Sequence, residues 1–477
     1  MNDIIPRLDR VLNPRSIAVV GDKRAQGYFW LRNMSPFTGR LSSVQIDPNE
    51  IPGIVELGVS NFASLLDVLG EIDYVVCSVP RRIAPRVVAD CVAKKVGGVS
   101  LFTSGFAETG EEEGIRLQEE IAATAREGGI VLIGPNCMGI YNRRLGVRQS
   151  VEQPAGDEGD VGFISHSGTH AINFSLIGAA NGVKISKSVS AGNSAVVGPA
   201  DYLEYLSQDA ETKVVGMYLE GVQEGHRLFN ALRRTTPLKP VVVWKGGLSE
   251  GGRRAMFSHT GGMATSAAVW QALVRQTGVV ATDSLDETLD AVKALLFTKP
   301  TTGRRMGLIA LTGGQSVVIT DAFEREGLEV PLLSERSYAE MAGFFNIVGG
   351  SYRNPLDAGG TLGFGASPEN LERMLRVLEE DENIDAVAVE VSTRMMARQT
   401  PAGTQPADWL PEMLGRHREE SSKPLMVVLH PGHLEAIVVQ ERQKYVERGV
   451  ATFAGFSQAA RAIARAVRYR RFAAGME

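Results

Sequence analysis

The chain of 477 residues contains only three cysteines, Cys77, Cys91 and Cys137. An odd, sparse set with no pairwise spacing excludes a disulfide framework and a zinc cluster of the usual kind. Cys77 falls in the apolar run Tyr74-Val75-Val76-Cys77 and reads as a small core residue. Long apolar runs are also missing. No window approaches about 18 uninterrupted apolar residues, and MNDIIPRLDRVLNPRS lacks the apolar core of a secretory signal. The expectation is a cytoplasmic protein with no membrane span. An excess of positive charge is absent too. Lys and Arg number 50 against 55 Asp and Glu, a formal net charge of -5, which argues against coating nucleic acid. Neither a full GxGxxG fingerprint nor a GxxxxGK[ST] loop occurs. No metal site is expected.

What is present points to an α/β protein. Hydrophobic residues make up 44% and charged residues 22%, ordinary for a chain with real cores. At roughly 100–200 residues per domain, the length implies about three domains. Apolar strands alternate with amphipathic helical patterns throughout, the mark of parallel sheets wound with helices. Fully apolar runs such as Ile17-Ala18-Val19-Val20 and Val241-Val242-Val243-Trp244 fit sheets covered on both faces. The first unit is expected over 1–145, the second over 158–298 and the third over 304–477, with TKPTTGRRMG at 298–307 as a linker. ISHSGTH at 164–170 and ALTGGQS at 310–316 both follow a strand and open a helical pattern, so the second and third units read as copies of one plan.

Several turns could meet a ligand. AVVGDKRAQG at 18–27 runs a strand into Gly21, where phosphate can meet backbone amides, or the turn serves the fold alone. SVPRRIAP at 78–85 and FTSGFAETG at 102–110 are expected along the same carboxyl edge, with Ser104 and Gly105 offering amides and Phe106 an aromatic wall. GPNCMGI at 134–140 is a rigid polar turn holding Asn136 beside Cys137. SHSGTHA at 165–171 places Ser165, Ser167, Gly168 and Thr169 at a helix start, suited to a dianion or to simple capping. His166 and His170 read as structural or exposed. SHTGGMAT at 258–265 also reads as a helix start, with His259 among small hydroxyls and followed by Gly261 and Gly262. A neutral imidazole there can attack phosphorus. It needs an acceptor on its other nitrogen, and Glu220, at the end of the apolar run 214–219, is the candidate.

Taken in order, AVVG, SVP, FTSGF, GPNCMGI, ISHSGT, SAGN, YLEG and SHTGG resemble the NDP-forming acyl-CoA synthetase superfamily, which includes succinyl-CoA synthetase and ADP-forming acetyl-CoA synthetase. The resemblance covers essentially the whole chain. It implies an N-terminal Rossmann-like CoA-binding domain followed by two flavodoxin-like domains. It implies that His259 carries the phosphoryl group, that Glu220 contacts it, and that Ser165, Ser167, Gly168, Thr169, Thr260, Gly261 and Gly262 surround phosphate. Coenzyme A would meet Gly21, Lys23, Ser78, Val79, Pro80, Thr103, Ser104, Gly105, Asn136 and Cys137. A small carboxylic acid would be activated as an acyl phosphate and captured by the CoA thiol. The family binds Mg-ATP/ADP or GTP/GDP on an ATP-grasp domain. None is expected here, so a separate ATP-grasp β-type subunit is the expected partner.

Two departures stand out. Asp22-Lys23 follows Gly21 where the family often has Ala-Ser, and an acid beside CoA phosphates is unfavourable unless Lys23 or Arg24 compensates. Val196 and Val197 replace more usual polar residues. A CoA-responsive interaction protein without turnover is the rival reading, and an NAD-dependent dehydrogenase a weaker one.

Overall fold

The computed structural model describes residues 4–260, 266–362, 368–392, 406–430 and 435–476, with the side chains of 257–260 and 406 outside that description. Residues 1–179 with 183–285 form one compact unit, and 180–182 with 286–477 form another. Among the described residues, no helix is long and apolar enough to cross a membrane.

The first unit holds two sheets. One consists of β1 (Ser16–Val20), β2 (Arg40–Val44), β3 (Ser60–Phe62), β4 (Tyr74–Cys77), β5 (Gly98–Leu101) and β6 (Val131–Ile133). All run parallel in the order β3-β2-β1-β4-β5-β6. This is the doubly wound order whose direction reverses between β1 and β4, where ligands bind beyond the strand ends. Register pairs Ile17 with Tyr74 and Val20 with Cys77, so the turns after β1 and β4 emerge side by side. The flanking helices follow from apolar spacing. In Ala84–Lys94 the buried residues are Ala84, Val87, Val88 and Cys91, a stripe at i, i+3, i+4 and i+7.

The second sheet consists of β7 (Gly139–Asn142), β8 (Val161–Ser165), β9 (Ile185–Ser190), β10 (Val214–Leu219), β11 (Val241–Lys245) and β12 (Val280–Thr282), in the order β12-β11-β10-β8-β9-β7. Only β7 is antiparallel, against β9. It directly follows the GPNCM turn, so that turn connects the end of the first sheet to the edge of the second. Val241, Val242 and Val243 are fully buried. An aliphatic side chain so covered stabilises the fold by about 1.5–3 kcal/mol relative to exposure.

The second unit holds β13 (Met306–Ala310), β14 (Leu356–Asp357), β15 (Ala386–Ser392), β16 (Leu425–His430) and β17 (Thr452–Phe453), ordered β14-β13-β15-β16-β17. With β7 set aside, β8 to β12 have the same 2-1-3-4-5 order, the flavodoxin-like winding. The first strand of each leads to a small hydroxyl residue and then a helix. Thr312 caps Gly313–Arg325 by accepting from the Gln315 amide at 3.3 Å. The expected shared plan is therefore present in the strand order.

Lys187 on β9 is 1% exposed, and its ammonium meets Asp209 at 3.1 Å and Glu211 at 2.6 Å. Removing Lys187 takes the ion pair from the nearly buried Asp209, while Glu211 keeps Arg144 at 2.8 Å. Lys187→Ala should lower the unfolding free energy by roughly 3–5 kcal/mol in urea titration. An unchanged midpoint would show that the cluster is not holding β9.

Candidate active site

At the edge of the first sheet, the Ser78 amide donates to Val20 O at 2.9 Å and the Gly21 amide to Val44 O at 3.1 Å. Gly21, Ser78 and Val79 thus share one rim, with Lys23 and Pro80 exposed beside them. Asp22 does not face that rim. It is fully buried, accepting from the Leu31 amide at 2.9 Å and from its neighbour Lys23 at 3.2 Å. Desolvation raises its pKa above the ordinary carboxylate value, against those amide bonds. The acid expected to repel a phosphate is turned inward, while the Lys23 side chain stays outside.

The Thr103 hydroxyl donates to Val79 O, which ties the turn after β5 to the turn after β4. Ser104 is exposed and Gly105 half-buried, with its amide donating to Glu108 at 2.6 Å. Phe106 is not an aromatic wall. It is fully buried in the core behind the sheet, because an apolar side chain at this turn gains more from the helix Glu112–Gly128 than from the rim.

The GPNC turn lies against the turn after β9. The Asn193 amide donates to Pro135 O at 2.9 Å and the Ala195 amide to Gly134 O at 3.0 Å. Gly192 makes the approach possible, since a Cβ there would lie 2.3 Å from Pro135 O and 2.4 Å from Asn136 O. The Asn193 side-chain amide reaches Glu108 at 2.5 Å and Gln118 at 2.8 Å. Asn136 stays half-buried at the surface of this junction, but the Cys137 thiol points inward to Leu101 O and Ile133 O. Burial pushes that thiol up to about 12, so its side chain is a core group and not a ligand contact. Met138 continues to the turn that follows β8. Its amide donates to Ser190 at 3.0 Å, and a Cβ on Gly168 would meet its side chain at 2.5 Å.

After β8, the helix Gly168–Ala180 opens towards the same edge. Its first amides lack intrahelical acceptors, as at any helix start. The Ser167 hydroxyl accepts from the His170 amide at 3.4 Å, and Thr169 is exposed. Ser165 differs from expectation. Its buried hydroxyl donates to Ser167 O at 2.7 Å and accepts from the Ser167 amide at 3.1 Å, so it shapes the turn from within.

Glu220 follows β10, as expected, and is 6% exposed. The Tyr218 hydroxyl donates to its carboxylate at 3.1 Å. His166 proves to be a partner rather than a bystander. Its Nδ1 accepts from the Glu220 amide at 3.1 Å, and the ring is 9% exposed. Desolvation lowers its pKa to about 4, with Glu220 opposing and Lys245 reinforcing the shift. The ring is therefore neutral near pH 7 and carries its proton on Nε2. His170 packs 4.5 Å from the rings of both Tyr218 and Trp244, which makes it part of an aromatic cluster. Neither histidine had a distinguishing signal beyond its place in the SHSGTH run.

The SHTGG motif is not a helix start. Ser258, His259 and Thr260 fall within the helix Glu250–Thr260, and the helix Ala267–Thr277 is capped by Ser266. The apolar and charged run from 250 continues helical through the histidine. The expected pair of helix amino-ends around His259 is therefore corrected: the amino-end at Gly168 is present, while Ser258–Thr260 lie inside a helix that begins at Glu250. The His259 and Thr260 side chains and the whole of Gly261 and Gly262 lie outside the described residues. Among the described residues, no group of three or more His, Cys, Asp or Glu is arranged to hold a metal ion.

Comparison with known proteins places these sheets among known domain families. Residues 15–143 match the family described as CoA binding domain, and 158–295 match the succinyl-CoA ligase like flavodoxin domain. The alpha subunit of ADP-forming acetate–CoA ligase II from Pyrococcus furiosus is 32% identical over 399 residues, covering 83% of this chain and 84% of that one. ADP-forming acetate–CoA ligase I from Archaeoglobus fulgidus is 32% identical over 80% of this chain, but this chain spans only 54% of that protein. The dinucleotide forming acetyl-coenzyme A synthetase 1 of Ca. Korarchaeum cryptofilum, solved with phosphate and ADP, superposes with a TM-score of 0.85 at 28% identity, over 100% of this chain and 98% of that one.

The buried, neutral His166 links stability to pH. Its folded-state pKa lies below the ordinary 6.5, so the stability it contributes is present above about 6.5 and is lost as pH falls towards 4. His166→Asn keeps an acceptor for the Glu220 amide without a titrating ring. In urea titrations at pH 7 and 4.5, the wild type should lose about 2–3 kcal/mol more than this variant between the two values. Equal losses would mean that the ring is not desolvated as described.

Proposed function

The chain belongs to the family of ADP-forming acetate–CoA ligases, and from that premise we propose how its residues divide the reaction. It is an acid–thiol ligase that uses coenzyme A and a nucleotide, interconverting acid, CoA and NTP with acyl-CoA, NDP and phosphate. CoA lies along the rim of Gly21, Lys23, Ser78, Val79, Pro80 and Thr103–Gly105, and its thiol reaches the Asn136 turn. The Cys137 contact is made by backbone. Ser167, Gly168 and Thr169 hold phosphate, with Thr260, Gly261 and Gly262 on the histidine side.

In the direction of acyl-CoA breakdown, a phosphate oxygen attacks the thioester carbonyl. The C–S bond breaks, and the thiolate leaves and takes up a proton. A His259 nitrogen then attacks phosphorus, the P–O bond to the acyl group breaks, and the carboxylate departs. The other ring nitrogen keeps its proton and donates it in a hydrogen bond to Glu220. The observation that carries this reading is the contact between Met138, on the CoA turn, and Gly168, the first residue of the phosphate helix. That approach supports a reading in which the thiol end of one ligand lies beside the anion site of the other.

Phospho-His259 then serves a nucleotide site on an ATP-grasp β-type subunit. Support comes from the relatives called alpha subunits, while in the longer Archaeoglobus protein this chain accounts for about half the length. The ligase character of the relatives favours turnover over a purely CoA-responsive role.

The half-reaction tests this without the nucleotide. Acetyl-CoA and radiolabelled phosphate should give an acid-labile, base-stable label on the wild-type chain and none on His259→Ala. Label persisting on the variant would sink the assignment.

A further inference from the structure

His166 lies between residues that the proposed reaction uses, yet that reaction gives it no role. Its backbone amide donates to Tyr218 O at 3.1 Å. Its ring Nδ1 accepts from the Glu220 amide at 3.1 Å, and the Tyr218 hydroxyl donates to the Glu220 carboxylate at 3.1 Å. One residue of the phosphate turn thus grips the segment 218–220 twice, through main chain and ring. His166 lines a cavity with Asn193, Val196, Gly221, Val222 and Leu228. Beyond Glu220 the chain turns at Gly221 into 222–224, a stretch without regular structure.

We infer that His166 is a positioning residue: its Nδ1 fixes the backbone of Glu220 against the 165–169 turn and thereby aims the Glu220 carboxylate. This rests on the proposed role of Glu220. His166 does not act as a nucleophile, because Nδ1 is occupied by the amide and the ring is 9% exposed. Glu220 and Lys245 are the charged groups that act on it, and burial keeps the ring neutral between them. A neutral acceptor suits the task. A protonated ring would present a donor to the Glu220 amide and leave that buried N–H without a partner.

The test is the rate of His259 labelling by acetyl-CoA and radiolabelled phosphate, with thermal melting of each variant as the folding control. His166→Ala should lower the maximal rate roughly tenfold or more, in line with an orphaned buried amide, while the KM for phosphate stays within about threefold of wild type. His166→Asn, whose carbonyl oxygen can stand where Nδ1 stands, should stay close to the wild-type rate. His166→Leu, of similar bulk but without an acceptor, should behave like the alanine variant and replaces it if that one fails to fold. The deciding comparison is the double variant. His166→Ala should add no further loss in a Glu220→Ala background, because it acts only through Glu220. A multiplicative loss there, an unaffected His166→Ala enzyme, or an asparagine variant as impaired as leucine would each overturn the inference while leaving the functional reading standing. If Glu220→Ala labels like wild type, or wild type does not label at all, the functional reading itself fails and the inference falls with it.

Discussion

Two short turns held back to back set the position of everything else at this edge. The turn of Gly134–Asn136 closes the first sheet, and that of Gly192–Ala195 follows β9 of the second. Two main-chain hydrogen bonds of 2.9 and 3.0 Å join them. Both contain a non-glycine residue in the left-handed region, Asn136 at φ 56° and Ser194 at φ 54°. Such residues cost of order 1–3 kcal/mol each unless their surroundings hold them. Here the surroundings do, since the flanking amides of 193 and 195 are bonded across the junction and the Asn193 side chain is anchored on Glu108 and Gln118. Without that joint the Gly21–Ser78 rim and the 165–169 turn would be features of two separate sheets.

The polar groups around the joint follow one electrostatic logic. Charges that would oppose an anion are turned inward or held in bonds. Asp22 is sunk onto backbone amides, and Glu108 is spent on the Gly105 amide and Asn193. His166 stays neutral by burial. The groups left facing the edge are the amides of a helix start, small hydroxyls and the exposed Lys23, which suit a dianion beside a CoA phosphate. Glu220 is the acid retained nearby, and both Tyr218 and His166 constrain it.

Much of this was legible in the sequence, for physical reasons. Fully apolar runs announced β1, β10 and β11, and Glu220 stands where the end of an apolar strand put it. The Gly-Pro-Asn grammar marked a rigid turn, and the repeated strand-to-hydroxyl-to-glycine pattern anticipated the shared winding of the second and third sheets. The failures have causes as well. Small hydroxyls around His259 suit a helix start, but the run from Glu250 is already helical when it reaches Ser258–Thr260. Ser165 and Cys137 have side chains compatible with a ligand, but each finds carbonyl partners inside its own turn. Phe106 follows a strand-end turn, but its apolar ring leaves the rim for the core. His166 was missed because its partner is a backbone amide 54 residues away, which no local pattern encodes.

The central claim is that the amino-end of the helix Gly168–Ala180, beside Glu220, is where phosphate binds. Amide chemical shifts of the full chain during titration with inorganic phosphate test it most directly. Saturable shifts centred on Ser167, Gly168 and Thr169, extending to Glu220, are the predicted result. Resonances of that turn unmoved at millimolar phosphate, with saturable shifts elsewhere or nowhere, would contradict it.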